Sequence, residues 1–215
     1  MMLLMTTAAL AGCAGSDVTQ DDVDAAYDNG YAAGTADAAS VSTLDTIIAR
    51  GALKCGVKDS QFGMGYLNAD GTYSGLDIEY CKAVAAAIGI DSIEYILATG
   101  SNRFELLASA EIDVLIRTTT WTTSRDAGLN ADFAGMNFYD GQGMLVNLDQ
   151  FTDATSALHL DGANICVGIG TTTEGNLLDY YELHNMQMTT INTENAAAAQ
   201  ENFLDGSCGV WTGDM

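Results

Sequence analysis

DVLIRTTTWTTSRDAGL, residues 113 to 129, changes character twice. Val114, Leu115 and Ile116 form a short apolar run of the kind buried as a strand. The next stretch, Arg117 to Asp126, holds five threonines, a serine, a tryptophan and two arginines. Its second half, TTSRDAGL, reads as the first turn of a short helix with Thr122 or Thr123 as N-cap. A strand end, hydroxyls, free backbone N–H groups at a helix start and an arginine make up the local chemistry that holds a carboxylate or phosphate. The plainer reading is that the threonines are β-formers and caps, and that Arg125 neutralises a neighbouring aspartate.

Upstream, the chain prepares that junction. ALKCGV (52–57) reads as a strand and YLNADGTYSG (66–75) as a hairpin turning at Asp70-Gly71. LDIEYCKAVAAAIG (76–89) sets Leu76, Tyr80, Val84 and Ile88 four apart on one helix face, with Gly89 as the stop. SIEYILA (92–98) is a strand, and NRFELLAS (102–109) a helix. The order β-α-β-α-β predicts an α/β domain with a largely parallel sheet, whose ligands sit at the carboxyl ends of its strands.

Downstream the pattern repeats. In ANICVGIGTTTEGNLLDYYELHN (163–185), strand NICVGI runs into Gly170, three threonines and a helix opening with Glu174, so hydroxyls and amides again meet at a helix N-terminus. Two such junctions in successive α/β lobes suggest one ligand held between them. A helix (173–184), strand QMTTI (187–191), helix ENAAAAQENFLDG (194–206) and strand CGVWT (208–212) follow, and the second lobe reads as incomplete, a fragment. FAGMNFYDGQGMLVN (133–147) offers two short apolar strands around Asp140-Gly141, suited to crossing a hinge.

Seven Lys and Arg stand against 29 Asp and Glu, a net charge of −22, and no Lys or Arg follows Arg125. Nucleic acid and anionic membrane surfaces are therefore poor partners; a well-solvated surface explains the acidity, with an acidic patch made for a partner as the alternative. A chain of 215 residues, 48% hydrophobic, can bury the core of one large domain or two small ones. Residues 1–13 form an apolar stretch ending in Leu10-Ala11-Gly12-Cys13, too short to span a bilayer, which resembles a lipoprotein signal with Cys13 as the acylated residue. Residues 14–43, acidic and poor in large aliphatics, read as a tether, with Tyr27 and Tyr31 placed to share the face of a short spacer helix. The four remaining cysteines allow three pairings. Cys55–Cys81 with Cys166–Cys208 is favoured because each pair stays within one half of the chain; buried free thiols are the alternative. With no CxxC pair and only His159 and His184 as histidines, no metal site is expected, and no cofactor motif is present.

The motifs in order are Gly75-Leu76-Asp77-Ile78-Glu79, Asn102-Arg103-Phe104, Glu111-Ile112-Asp113-Val114, Thr118-Thr119-Thr120-Trp121-Thr122, Ser124-Arg125-Asp126, Phe133-Ala134-Gly135, Tyr139-Asp140-Gly141-Gln142-Gly143, Gly170-Thr171-Thr172-Thr173-Glu174 and Thr212-Gly213-Asp214. In this order and spacing the chain, from about Leu44 to Asp214, resembles the family 3 solute-binding proteins of amino-acid ABC importers, most closely the branch of general L-amino-acid receptors. The resemblance implies a two-lobed α/β fold of the type II periplasmic-binding class, truncated in the second lobe, with lobe 1 over 44–140 and hinge and lobe 2 over 141–215. It also implies ligand contacts: Arg125 with Thr118 and Thr120 on an α-carboxylate, Thr172 and Thr171 closing on the same group, and Asp214 on the α-ammonium. The side-chain pocket would come from Asp59 to Phe62 and Thr99 to Asn102, with Phe62 and Ser101 foremost, while Arg117 and Trp121 support the loop. Relatives carry cysteines at the positions of Cys55, Cys81, Cys166 and Cys208, in agreement with the favoured pairing. Departures from the family pattern are Tyr80 in place of an aliphatic, Gly213 before the aspartate, and the missing prolines of the first loop.

The implied protein is a monomeric receptor, lipid-anchored in the periplasm or on the outer face of the cytoplasmic membrane. It would bind a free L-amino acid and pass it to an ABC permease, without a cofactor and without chemistry. An enzyme resembling cyclohexadienyl dehydratase, or the sensor domain of a receptor, would use the same fold. A dehydratase needs a placed acid and base, and His159 and His184 fall outside both ligand junctions.

Overall fold

The computed structural model of the chain describes residues 24–25, 42–129 and 131–214. Cys13 and nearly all of the 14–43 segment, Tyr27 and Tyr31 included, lie outside the described residues. Residues 43–215 cluster as one compact unit built on two main sheets and a small third one.

Helix α1 (Thr43–Arg50) leads into strand β1 (Ala52–Val57), the centre of the first sheet. β1 pairs in parallel with β5 (Ser92–Leu97), from Ala52 opposite Ser92 to Val57 opposite Leu97, and with β6 (Val114–Leu115) through Cys55–Val114 and Gly56–Leu115. A central strand covered on both faces must be apolar throughout, and ALKCGV buries every residue but Lys54. Between β1 and the first long helix lies a small antiparallel sheet of β2 (Ser60–Gln61), β3 (Gly65–Leu67) and β4 (Tyr73–Ser74). Its β3–β4 hairpin turns where expected. Gly71 takes φ +83°, and Asp70 Oδ1 accepts from the Thr72 backbone N–H and hydroxyl at 3.0 and 2.6 Å.

Helix α2 (Leu76–Ala87) buries a stripe that differs in part from the one expected, for Val84 and, just past its end, Ile88 pack against the core as expected but are not its centre. Ile78, Cys81 and Ala85 are 0–2% exposed, whereas Tyr80 is 39% exposed. Residues four apart advance by about 40° per step, so a row at strict i+4 spacing winds off the contact face, while the 78-81-85 alternation of three and four holds to it. The Cys55–Cys81 disulfide, with Cα atoms 6.2 Å apart, fixes that rotation by tying the helix to β1. Helix α3 (Arg103–Ala108), β6 and helix α4 (Thr123–Gly128) complete the first lobe, and Thr122 is the N-cap of α4, accepting from the Arg125 N–H.

The second sheet runs β7 (Gln142–Val146), β10 (Val210–Asp214), β8 (Ala163–Gly168) and β9 (Met188–Thr193). β10 is parallel to β8 and antiparallel to β7, with Asp214 opposite Gln142. Helices α5 (Thr172–Leu183) and α6 (Ala196–Leu204) follow β8 and β9. Leu160, Ile165, Val167, Leu177, Tyr181 and Val210 form the core, and the Tyr181 hydroxyl donates to the Leu160 carbonyl at 2.9 Å. Each such apolar side chain contributes about 1.5–3 kcal/mol on full burial.

Residues 131–141 differ from expectation: only Gln142–Val146 of the 133–147 segment is a strand. A strand needs a partner ladder, and β10 offers one from Gln142 onward. The favoured cysteine pairing is present in full, since Cys166 and Cys208 are bonded with Cα atoms 5.7 Å apart and both are 0% exposed.

That second bridge links residues 42 apart in sequence, from the middle of β8 to the entry of β10. Replacing both Cys166 and Cys208 by alanine is expected to cost about 2–5 kcal/mol, read as a lower urea midpoint; an unchanged midpoint would mean that the link adds nothing to the core around it.

Candidate functional site

Every strand of the two parallel ladders releases its chain toward one cleft of about 570 Å³. From the first lobe it receives Lys58 after β1, Gly100 and Arg103 after β5, and Arg117, Thr118, Thr120 and Arg125 after β6. The second lobe contributes Gly168 to Thr173 after β8, apart from Gly170, then Thr193 and Glu194 after β9, and Thr212 to Asp214 on β10. Carboxyl ends of parallel strands present loops and helix N-termini together, and ligands of α/β folds collect there for that reason.

Arg125 is held at both ends. Its backbone N–H is the one that Thr122 caps, Nη1 donates to the Thr120 carbonyl at 2.8 Å, and Nη2 donates to the Gly170 carbonyl of the second lobe at 3.2 Å. Arg103, 2% exposed, donates through Nη2 to the same Gly170 oxygen at 2.7 Å. Both guanidinium groups lie over the ring of Phe104, at 5.1 Å for Arg103 and 5.6 Å for Arg125. Carbonyls orient a guanidinium without cancelling its charge. Among the described residues the ion pairs are Arg50–Asp113 and Lys82–Glu79, both outside the cleft.

On the second lobe, Thr171 is the N-cap of α5, accepting from the Glu174 N–H at 3.1 Å and donating to the Gly168 carbonyl at 2.6 Å. Glu174 accepts from the Gly170 N–H and from Asn192, each at 2.8 Å, which fixes the GTTTE turn. Gln142 donates to the Thr173 carbonyl and to the Thr212 hydroxyl, at 3.1 and 3.0 Å, and so locks the start of α5 to β10. The lobes meet through Thr120 and Thr172, whose hydroxyls are 3.0 Å apart, and through Ser101, which donates to Glu194 at 3.0 Å. They also meet backbone to backbone, because a Cβ on Gly100 would collide with the Ile169 carbonyl.

Of the residues expected at the site, Arg125, Thr118, Thr120, Thr171, Thr172, Asp214 and Phe62 all line the cleft. Ser101 does not: its hydroxyl faces Thr99 and Glu194, while its neighbour Gly100 lines the cleft instead. Trp121 is stacked on Phe133, with centroids 5.6 Å apart. Both histidines are exposed and outside the cleft. Among the described residues no three His, Cys, Asp or Glu side chains gather as metal ligands.

Sequence reasoning missed Lys58, Arg103, Asp77 and the position of Arg117. Arg117 was expected to support the loop; it lines the cleft, 8% exposed, with one long contact of 3.5 Å to the Thr99 carbonyl. Four of the chain's seven basic residues thus converge on one cleft. The signal available was rarity: in so acidic a chain, Lys58 directly follows β1, Arg117 lies two residues past β6 and Arg103 opens a helix. Burial first, then repulsion from Arg117, pushes the Lys58 ammonium down to about 8, against the pull of Asp214 and Asp77. Asp77, 3% exposed beside this group, is raised by burial, with Lys58 and Arg117 opposing. Asp214 is exposed by area, yet the protein around its carboxyl raises it first and Asp140 second, against Lys58, Arg117 and Arg103.

Comparison with known proteins agrees with this architecture. The model of the bacterial extracellular solute-binding proteins, family 3, matches residues 53–199. The glutamate/glutamine/aspartate/asparagine-binding protein BztA of Rhodobacter capsulatus is 48% identical over 185 residues, 85% of this chain and 54% of its own length. The general L-amino acid-binding periplasmic protein AapJ of Rhizobium johnstonii is 41% identical over 182 residues, 84% of this chain and 53% of its own. Among solved structures, a periplasmic binding protein of an ABC transporter from Brucella ovis with glutathione bound superposes with a TM-score of 0.75 at 42% identity, covering 81% of this chain and 55% of that one. The chain spans about half the length of the curated relatives it matches.

The lowered Lys58 group has a measurable consequence. Between about 8 and its ordinary 10.5 the unfolded chain holds a proton that the folded chain has released, so this residue's contribution to stability rises with pH across that window. Nitrogen NMR of the Lys58 side chain should show a midpoint near 8 that moves upward in Arg117→Met. A wild-type midpoint at 10.5 would contradict the placement of Lys58 beside Arg117.

Proposed function

The chain belongs to the bacterial extracellular solute-binding proteins of family 3 and has their two-lobed type II α/β fold, and on that premise we propose that it holds a free L-amino acid between its lobes for delivery to a membrane permease. The observation that carries the reading is the charge left on Arg125, which is oriented by the Thr120 and Gly170 carbonyls and paired with no carboxylate among the described residues. A ligand α-carboxylate completes that arginine, with Thr118 and Thr120 of the same loop and Thr172 of the facing lobe donating to its oxygens, while Thr171, whose hydroxyl proton goes to the Gly168 carbonyl, shapes the turn that presents Thr172. Asp214, at the end of β10, takes the α-ammonium. A zwitterion needs a fixed cation with a forked face, several neutral donors and one anion at the other end, and this cleft supplies each.

Release and capture follow from lobe motion, with residues 44–140 as lobe 1 and 141–215 as hinge and lobe 2. The same reading makes the protein a monomer on the outer side of the cytoplasmic membrane. The lipid anchor at Cys13 rests on the Leu10-Ala11-Gly12-Cys13 motif alone. The named relatives are binding proteins, and the cleft brings no histidine to the ligand, in keeping with capture rather than turnover.

Calorimetry of the chain against the twenty amino acids should find binding that Arg125→Ala weakens by about 2–5 kcal/mol; affinity unchanged in that variant would remove Arg125 from the carboxylate site. Gly100→Ala places a methyl against the Ile169 carbonyl where the lobes touch. It should weaken binding while the melting temperature stays within a few degrees of the parent, and a variant that binds as tightly as the parent would show that closure does not need this approach.

A further inference from the structure

The zwitterion clamp uses one cation of the cleft, and the cleft has four. Lys58, Arg103, Arg117 and Arg125 line it against two carboxylates, Asp214 and Glu194, and Glu194 is engaged at the lobe contact by Ser101. The other acids near this charge are Asp77, behind Lys58 and Arg117, and Asp140, beside Asp214. None of them lies within ion-pair distance of a cleft cation, the pairs among the described residues being Arg50–Asp113 and Lys82–Glu79. Arg117 is the extreme case. It is 8% exposed, its Nε is buried without a hydrogen-bond partner, and its one polar contact is the 3.5 Å approach to the Thr99 carbonyl. Lys58 has a single acceptor, the Gln61 side chain at 2.9 Å. A buried cation so poorly matched is costly unless an anion arrives to meet it.

Resting on the reading of the site as an amino-acid cleft, we infer that its ligand carries a second carboxylate, and that Arg117 and Lys58 of the first lobe receive it while Arg125 receives the first. Arg103 adds charge nearby but is oriented, like Arg125, by the Gly170 carbonyl. The ligand class is therefore an acidic amino acid. Its side-chain amide analogue presents no charge to Arg117 and leaves that guanidinium as it was, so the site discriminates between two ligands of the same shape. Neutral amino acids of smaller side chain fill the α-group clamp alone and gain nothing from the surplus cations.

The test compares L-glutamate with L-glutamine and L-aspartate with L-asparagine by calorimetry on the full chain at pH 7. The acid of each pair should bind about tenfold more tightly or better, a margin of about 1.4 kcal/mol. Arg117→Gln should bring glutamate and glutamine within about threefold of each other, and Lys58→Met should narrow the gap in the same direction. The wild-type comparison requires no variant to fold, and the melting temperature of each variant reports its folding. An amide bound as tightly as its acid, or a preference for the acid that survives both substitutions, would overturn the inference while leaving the zwitterion clamp in place. Absence of binding by every amino acid would overturn the clamp and this inference together.

Discussion

Two guanidinium groups from one lobe converge on a single carbonyl of the other, and the cleft is built around that meeting. The Gly170 oxygen accepts from Arg103 at 2.7 Å and from Arg125 at 3.2 Å, while the Gly170 N–H is taken by Glu174. Gly170 sits at φ +67°, where an L side chain is strained, and a Cβ there would crowd the Gly100 carbonyl. The turn after β8 therefore carries no side chain at the point where the lobes touch, and its backbone serves as the connector. Because Glu174 is also held by Asn192 and its own N–H by Thr171, the connector is anchored in the second sheet. Thr120 and Thr172 meet as a consequence of this geometry, and Arg125 is left aimed between lobes with its charge unneutralised.

The distribution of charge divides the work between the lobes. No Lys or Arg follows Arg125, so every Lys and Arg that lines the cleft belongs to the first lobe, and the second lobe brings hydroxyls, amides and the Asp214 and Glu194 carboxylates. On the proposed reading, anionic groups of a ligand are fixed by the half of the protein that contains β1, β5 and β6, and closure of the other half adds neutral donors and two carboxylates, of which Glu194 is engaged by Ser101. A closing face without cations adds no second set of positive charges that would have to be dehydrated against the first when the cleft shuts. The same arrangement concentrates positive potential in the interior of a chain whose net charge is −22.

Much of this was legible in the sequence, for identifiable reasons. Strand and helix alternation, the Asp70-Gly71 hairpin, the two hydroxyl-rich junctions and the disulfide pairing all follow from local pattern or from family motifs, and all are present. What pattern could not supply was three-dimensional context. Strict i+4 spacing put Tyr80 on the buried face of α2, but Cys81, bonded to β1, sets the rotation of that helix. Apolar content made two strands of 133–147, although only the part opposite β10 finds a ladder. Arg117 and Trp121 were treated alike as loop supports. The structure separates them, since Trp121 stacks on Phe133 away from the cleft lining and Arg117 turns inward beside Lys58. Neither composition nor motif distinguishes an arginine that braces a loop from one that faces a ligand; burial and missing partners do.

Asp77 shows how a surplus of charge is kept available. It lies in the first turn of α2, 3% exposed, with one carboxylate oxygen unpartnered, close enough to Lys58 and Arg117 to favour their charged forms but not paired with either among the described residues. A direct salt bridge to Asp77 would satisfy Arg117 and make the cleft indifferent to a second anion. Complete removal of the acid would leave two adjacent buried cations with Asp214 as the remaining carboxylate that favours their charged forms. The intermediate arrangement stabilises the cations enough to stay in place and leaves their hydrogen-bonding capacity unspent. Any ligand group that completes that capacity is bound with the free energy the folded chain forgoes by leaving it open, so the preference of the cleft is set by an imperfection in its own electrostatics.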